Sequence, residues 1–286
     1  TNHSQNIIYK FNNYIFVMPE MRAKPLLSMI KRASRILSKR SLQIEEQNNS
    51  RDEGECLWDI AIELNNVAVD LYEIEELTHS REIYKNAAKA ILSTMMKSKG
   101  QDIEFNDERK ILIEQVISGK QWLHHLASSN ARIPDAILGS YQWSNPESSS
   151  CISPVFISKA IKIDVDFEDR SYVEKLVTAA IISYNLGLVY MKQKEFGTSK
   201  QNFEWGIGLL KEIEVSNEIL YKSMVYSNLL NNLGCLHYQS ENMYEAEACY
   251  IVGSQLSKQV LDSSEGEMLY EAQRCVSAIF YNIGVM

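Results

Sequence analysis

Glycine and proline are scarce, 12 and 5 in a chain of 286 residues. Few tight turns and few helix breakers follow, which argues against β-sandwiches and Rossmann folds and for long helices. The five cysteines are too few and too scattered for a disulfide framework. Their odd number also favours a reducing, intracellular compartment. No apolar run reaches the roughly 18 residues that a membrane span needs. A glycine-rich phosphate loop, a nucleophile elbow and an HExxH pair are all missing. An enzyme therefore has no motif to stand on, and neither a catalytic residue nor a cofactor is expected. With 45% apolar and 23% charged residues, the composition is that of a globular chain, which excludes wholesale disorder.

Basic charge is lacking from most of the chain. Residues 1–50 hold eight Lys/Arg against three Glu, which leaves 21 of the 29 basic and 34 of the 37 acidic residues for the remainder. A body so acidic repels nucleic acid, whose binding needs clustered Lys/Arg. The basic N-terminal extension (1–50) suits contact with an acidic surface, a membrane or the chain's own body, or stands as a solvated arm. Glu20 and the short apolar run 15–18 make it a poor targeting peptide.

Metal ligands are lacking as well. His124-His125 and Cys235-x-His237 lie one or two residues apart on helical patterns. Such neighbours point to different faces and do not converge on an ion. Cys56, Cys151, Cys249 and Cys275 have no partner at zinc-ligand spacing.

What is present is helical periodicity. Ile60, Leu64, Val67, Ala68, Leu71, then Leu77, Ile83, Tyr84, Ala87, Ala88 and Ile91 follow it, with a turn at 73–76. Residues 107–129 and 171–286 read the same way. Three segments open on a capping box, Ser50-x-x-Glu53, Ser171-x-x-Glu174 and Ser264-x-x-Glu267. Between them, residues 130–170 hold three of the five prolines and a serine run, and predict a long irregular insert.

The chain repeats itself. Asn66-Val67-Ala68, Asn185-Leu186-Gly187, Asn232-Leu233-Gly234 and Asn282-Ile283-Gly284 align. Behind the first three follows a second block: Ser80-x3-Tyr84-x2-Ala87, Ser199-x3-Phe203-x2-Gly206 and Ala246-x3-Tyr250-x2-Gly253. The two blocks stand 12 residues apart each time (68 to 80, 187 to 199, 234 to 246). A helix hairpin explains the residue types. Small residues belong where two backbones cross, and large ones beside them fill the gap. No hairpin buries its faces alone, so hairpins stack.

These blocks resemble the tetratricopeptide repeat (TPR) family, whose pattern runs Leu-Gly-x2-Tyr and then Ala-x3-Phe-x2-Ala. Leu186-Gly187-x2-Tyr190 with Ser199-x3-Phe203-x2-Gly206 fits closely, and Leu233-Gly234-x2-His237 with Ala246-x3-Tyr250-x2-Gly253 fits well. The family's tryptophan and its helix-ending proline are absent. The repeats recur at 47 and then 50 residues (186 to 233, 233 to 283) against the usual 34, as in the long kinesin light chain-type repeats. The resemblance implies an all-α, right-handed α-solenoid of antiparallel helix hairpins over residues 51–286, with the last repeat cut off at the C-terminus.

Its functional implication is a non-catalytic protein–protein interaction module that binds an extended peptide on its concave face. The alternative is a structural scaffold subunit of a larger assembly without a free groove. In such solenoids the positions of Asn66, Asn185, Asn232 and Asn282 face the groove. An amide there can donate to and accept from a peptide backbone at once. Four stacked amides would form a ladder, with Tyr184 and Tyr281 beside it reading side chains; local polar contacts between helices are the other reading. No inner-face neighbour is basic, so an acidic C-terminal tail is not the expected ligand. Finally, Ile161, Ile163, Val165 and Phe167 alternate with Lys162, Asp164, Asp166 and Glu168, which predicts an extended strip. It is either a surface loop tucked against a helix or a built-in ligand lying along the groove.

Overall fold

A computed structural model describes residues 53–98, 154–163, 171–213, 220–263 and 266–286, together with 111, 112, 114–116, 118 and 119. The basic extension, the rest of the 130–170 insert, His124-His125 and the capping boxes at Ser50 and Ser264 lie outside these residues. The described chain is all-helical apart from turns and residues 154–163. The helices are α1 (Glu53–Glu73), α2 (Leu77–Ser98), α3 (Tyr172–Lys192), α4 (Phe196–Lys211), α5 (Leu220–Gln239), α6 (Met243–Ser263) and α7 (Gly266–Val285). No helix among them is long and apolar enough to cross a membrane. At the one capping box within the described residues, the Ser171 hydroxyl accepts from the Glu174 N–H at 3.3 Å, which satisfies one orphan donor of α3.

Helices α1–α2, α3–α4 and α5–α6 form three hairpins with one turn geometry. Glu75, Lys194 and Glu241 each adopt a left-handed conformation (φ 66°, 63° and 61°), seven residues past Ala68, Gly187 and Gly234 in turn. At each turn the next N–H reaches back five residues: Glu76 to Leu71, Glu195 to Tyr190 and Asn242 to His237, all at 2.9 Å. This is the Schellman arrangement, which satisfies helix-end carbonyls by reversing the chain. Here it is built without glycine.

The 12-residue offset also has a physical form. The Ser80 hydroxyl donates to the Ala68 carbonyl and the Ser199 hydroxyl to the Gly187 carbonyl, both at 2.8 Å. A serine at the crossing thus bonds the backbone of the facing helix. Beside it, in the second and third hairpins, the aromatic of the second block closes against the glycine. A Cβ on Gly187 would sit 2.4 Å from the Phe203 ring, and one on Gly234 2.6 Å from the Tyr250 ring.

The hairpins then pack on one another. Helices α2 and α3, α4 and α5, and α6 and α7 are in contact, as are α1 with α3, α3 with α5 and α5 with α7. The first helices therefore lie side by side. The second of the four, α3, is buried from Leu176 through Tyr190 without interruption, as expected for a helix covered on every side. The Trp58 indole N–H donates to the Thr178 hydroxyl at 3.3 Å and joins α1 to α3. Gly284 on α7 occupies the position of Gly187 and Gly234, yet nothing lies within 4 Å of a Cβ placed on it.

Gly187→Leu and Gly234→Leu should each lower stability by about 1–3 kcal/mol or more, because added volume must part packed helices. Gly284→Leu should stay within about 0.5 kcal/mol of the parent, as an unobstructed surface change. Urea unfolding of the three variants checks this. A loss at Gly284 equal to the other two would refute the crossing.

Candidate functional site

The first helices carry their asparagines to one common face. Along it runs the extended segment 154–163, here called the strap. Asn66 on α1 donates through Nδ2 to the Ile163 carbonyl and accepts at Oδ1 from the Ile163 N–H, both at 2.8 Å. Asn185 on α3 does the same with Ile161 at 2.8 and 2.8 Å. Asn232 on α5 does so with Ile157 at 2.9 and 2.9 Å, and Asn282 on α7 with Val155 at 2.6 and 3.0 Å. In an extended chain one residue's N–H and C=O point to the same side, and the pattern returns every second residue. A carboxamide carries one donor and one acceptor that match this pair. The strap thus offers only odd-numbered residues to the amides. It runs from α7 to α1, opposite to the order of the repeats.

Tyr184 covers the middle. Its hydroxyl donates toward the Ile157 carbonyl at 2.9 Å and the Lys159 carbonyl at 3.2 Å. Burial pushes this phenol well above its ordinary pKa, so it stays protonated and able to donate. Tyr72 adds a bond to the Ser158 carbonyl at 3.0 Å. Of the six residues singled out from sequence, the structure brings five to the strap. Tyr281 is 41% exposed on α7 and does not join them.

Sequence reasoning did not assign a second tier to the ladder. Asn65 donates to the Ile161 carbonyl at 3.2 Å, and Asn231 to the Val155 carbonyl at 3.1 Å. Each also accepts from a ladder amide, Asn65 from Asn185 and Asn231 from Asn282, both at 2.9 Å. The doubled Asn65-Asn66 and Asn231-Asn232 were the signal. Cys235 contributes its thiol, which donates toward the Val155 carbonyl at 3.5 Å. Burial pushes that thiol up to about 12, so it acts as a neutral donor rather than a thiolate. His237 lies beyond it and shares no metal cluster with it; among the described residues no group of three His, Cys, Asp or Glu side chains converges.

Side chains of the strap divide by polarity, apolar ones inward and lysines outward. Pro154, Ala160 and Ile163 are buried, and Phe156, Ile157 and Ile161 pack partly against the core. Lys159 and Lys162 point outward and meet carboxylates, Lys159 pairing with Glu271 at 2.5 Å and Lys162 with Asp70. Asp70 and Glu73 both sit above the ordinary carboxylate pKa because burial strips their water, with Lys162 pulling each partly back. The strip expected at 161–167 is thus extended at Ile161–Ile163, and its remaining residues lie outside the described ones. The held segment begins earlier, at Pro154.

Compared with protein-family models, curated proteins and solved structures, the chain matches none.

Asn185, Asn232 and Asn282 are fully buried beneath the strap. A ladder facing an empty groove would leave these amides in water, and their loss would barely touch stability. The filled site reverses that expectation. Asn185→Ala and Asn232→Ala should each cost about 1–3 kcal/mol, since each leaves a buried strap N–H without a partner. Asn66 is only partly buried, so water can replace it and Asn66→Ala should cost less. Denaturant titration ranks the three, and equal small losses would contradict the geometry.

Lys162→Ala should move the titrations of Asp70 and Glu73 further up, because the cation that lowers them is gone. The folded acids then hold protons more tightly than the unfolded ones. The variant's stability deficit should therefore grow as pH rises through the carboxylate range and shrink at lower pH. Carboxyl NMR titration alongside melting curves reads both. Unmoved carboxyl titrations would place Lys162 away from these acids.

Proposed function

We propose that this chain is a non-catalytic interaction module whose hairpins stack as a right-handed α-solenoid of TPR type and whose concave face holds an extended peptide. The three hairpins with shared turn, shared glycine–aromatic crossing and long repeat period support the architecture. One observation carries the function. Four amides, one per first helix, each grip both main-chain groups of a single residue of an extended segment. Bonds to main chain bind without regard to side chains, so the face suits partner segments of varied sequence. Among the described residues the nucleophilic side chains that are buried are also neutral. The buried thiols of Cys235 and Cys275 are both pushed up to about 12, and the buried tyrosines are pushed up likewise.

A second reading has its own observation. The face is filled by the chain's own strap, while α7 exposes Phe280 (58%), Tyr281 and Ile283. The corresponding Leu230 and Leu233 on α5 are buried. A structural subunit held through α7 would look like this. The two readings part in one experiment. Partner capture should fall when Asn185 and Asn232 are changed to Ala in a chain whose Val155, Ile157, Ile161 and Ile163 are changed to Ser. It should persist in Phe280→Asp, Ile283→Asp. The opposite pattern would replace the peptide module with the assembly subunit.

A further inference from the structure

The strap shows more than that a backbone can be held; it shows which side chains the face accommodates. Its polarity is set, because the ladder order 282, 232, 185, 66 meets residues 155, 157, 161 and 163. Between Ile157 and Ile161 the step is four residues rather than two, and the skipped Lys159 is met by the Tyr184 hydroxyl instead of an amide. A register is therefore built into the face. At that register Ala160 is buried and admits only a small side chain, while Ile163 is 2% exposed beneath α1.

Charge fixes the rest. Glu271 from α7 lies against Lys159, and Asp70 from α1 against Lys162. Glu73 lies close enough to both lysines to feel them, and its carboxyl is already raised by lost hydration. These acids flank the strap at both ends of its basic half. A cation brought to them is favoured, and an anion there would be repelled by groups that have little water to screen them.

We propose that residues 154–163 are a resident pseudo-ligand, and that the site's true occupant is an extended segment of a partner protein with the same chemistry. That segment runs opposite to the repeats. It has aliphatic residues at the positions of Val155, Ile157, Ile161 and Ile163, a small residue at that of Ala160 and lysines at those of Lys159 and Lys162. This rests on the peptide-binding reading above and narrows it to a basic, aliphatic strand. The strap is tethered, with only seven residues between Ile163 and Ser171. A short tether sets an effective concentration of about millimolar. A free segment of equal intrinsic affinity therefore competes poorly until the strap is weakened, so the device holds the site closed by default.

The test uses a fluorescein-labelled peptide with the sequence of residues 152–165 and the full chain carrying Val155→Ser, Ile157→Ser, Ile161→Ser and Ile163→Ser. Anisotropy should show this variant binding the peptide at least tenfold more tightly than the parent chain does. A peptide with Lys159→Glu and Lys162→Glu, and one of reversed sequence, should each lose at least tenfold. If all three peptides bind within twofold of one another, the ladder holds any backbone: peptide binding stands and the sequence preference is overturned. If the variant keeps its helical circular dichroism and binds none of them, the peptide-binding reading itself falls.

Should the fourfold variant lose its helices, cleavage sites placed within 146–150 and 166–169 of the parent chain cut the strap free on both sides. Exchange of the nicked strap for the labelled peptide, but not for the charge-reversed one, supports the proposal. No exchange with the helices intact overturns it. A shift to dimer on weakening the strap, in the absence of peptide, would make a second copy the occupant and overturn the partner segment.

Discussion

The fold's unusual feature is a pairing between side-chain amides and main chain. An extended strand cannot be buried alone, because every residue but proline carries a donor and an acceptor that must be satisfied. Here four carboxamides satisfy eight such groups, those of Val155, Ile157, Ile161 and Ile163. Each bond contributes about 1 kcal/mol net, whereas leaving a buried group unmade costs about 1–3 kcal/mol. The strap and the asparagines therefore depend on one another. Without the strap the buried amides would need water, and without the amides the main-chain groups of four strap residues would lose their partners.

That pairing constrains the helices in turn. Four asparagines reach one strand only if the first helices lie side by side in register. The register comes from the hairpins. Glycine–aromatic contacts at Gly187 with Phe203 and Gly234 with Tyr250 set how closely each second helix approaches. The serine-to-carbonyl bonds at Ala68 and Gly187 and the matching left-handed turns set how each hairpin closes. Since the same crossing recurs, the asparagine two residues before it recurs on the same side. At α7 the crossing is open and its outer side chains are exposed, so that helix serves the ladder with Asn282 while its other face remains uncovered.

Much of this was legible in the sequence, and the limits have physical causes. Constant spacing from Asn to small residue to aromatic is a direct imprint of helix crossing, so the hairpins and the four amides could be read. A turn at 73–76 could be read as well, but not the left-handed conformation of Glu75, Lys194 and Glu241. Left-handed turns usually signal themselves by glycine, and here packing of the two helices imposes the conformation on charged residues. The start of the strap was hidden for a different reason. Alternating hydrophobicity is a sequence signal of an extended strip, and the sequence of residues 161–168 shows it. Residues 154–160 do not, since inward side chains there fall at both even and odd positions (Pro154, Phe156, Ile157 and Ala160). Asn65 and Asn231 could be placed on the inner face, but only the structure shows that they bond the strap. The strap is wide enough to be touched from both.

The central claim is that the ladder holds alternate main-chain groups of residues 154–163. Hydrogen–deuterium exchange read by NMR on the intact chain tests it residue by residue. The amides of Val155, Ile157, Ile161 and Ile163 should be protected, with Phe156, Ser158 and Lys162 exchanging much faster, and Asn185→Ala should release Ile161 first. Uniformly fast exchange across 155–163, or protection without regard to parity, would contradict the account.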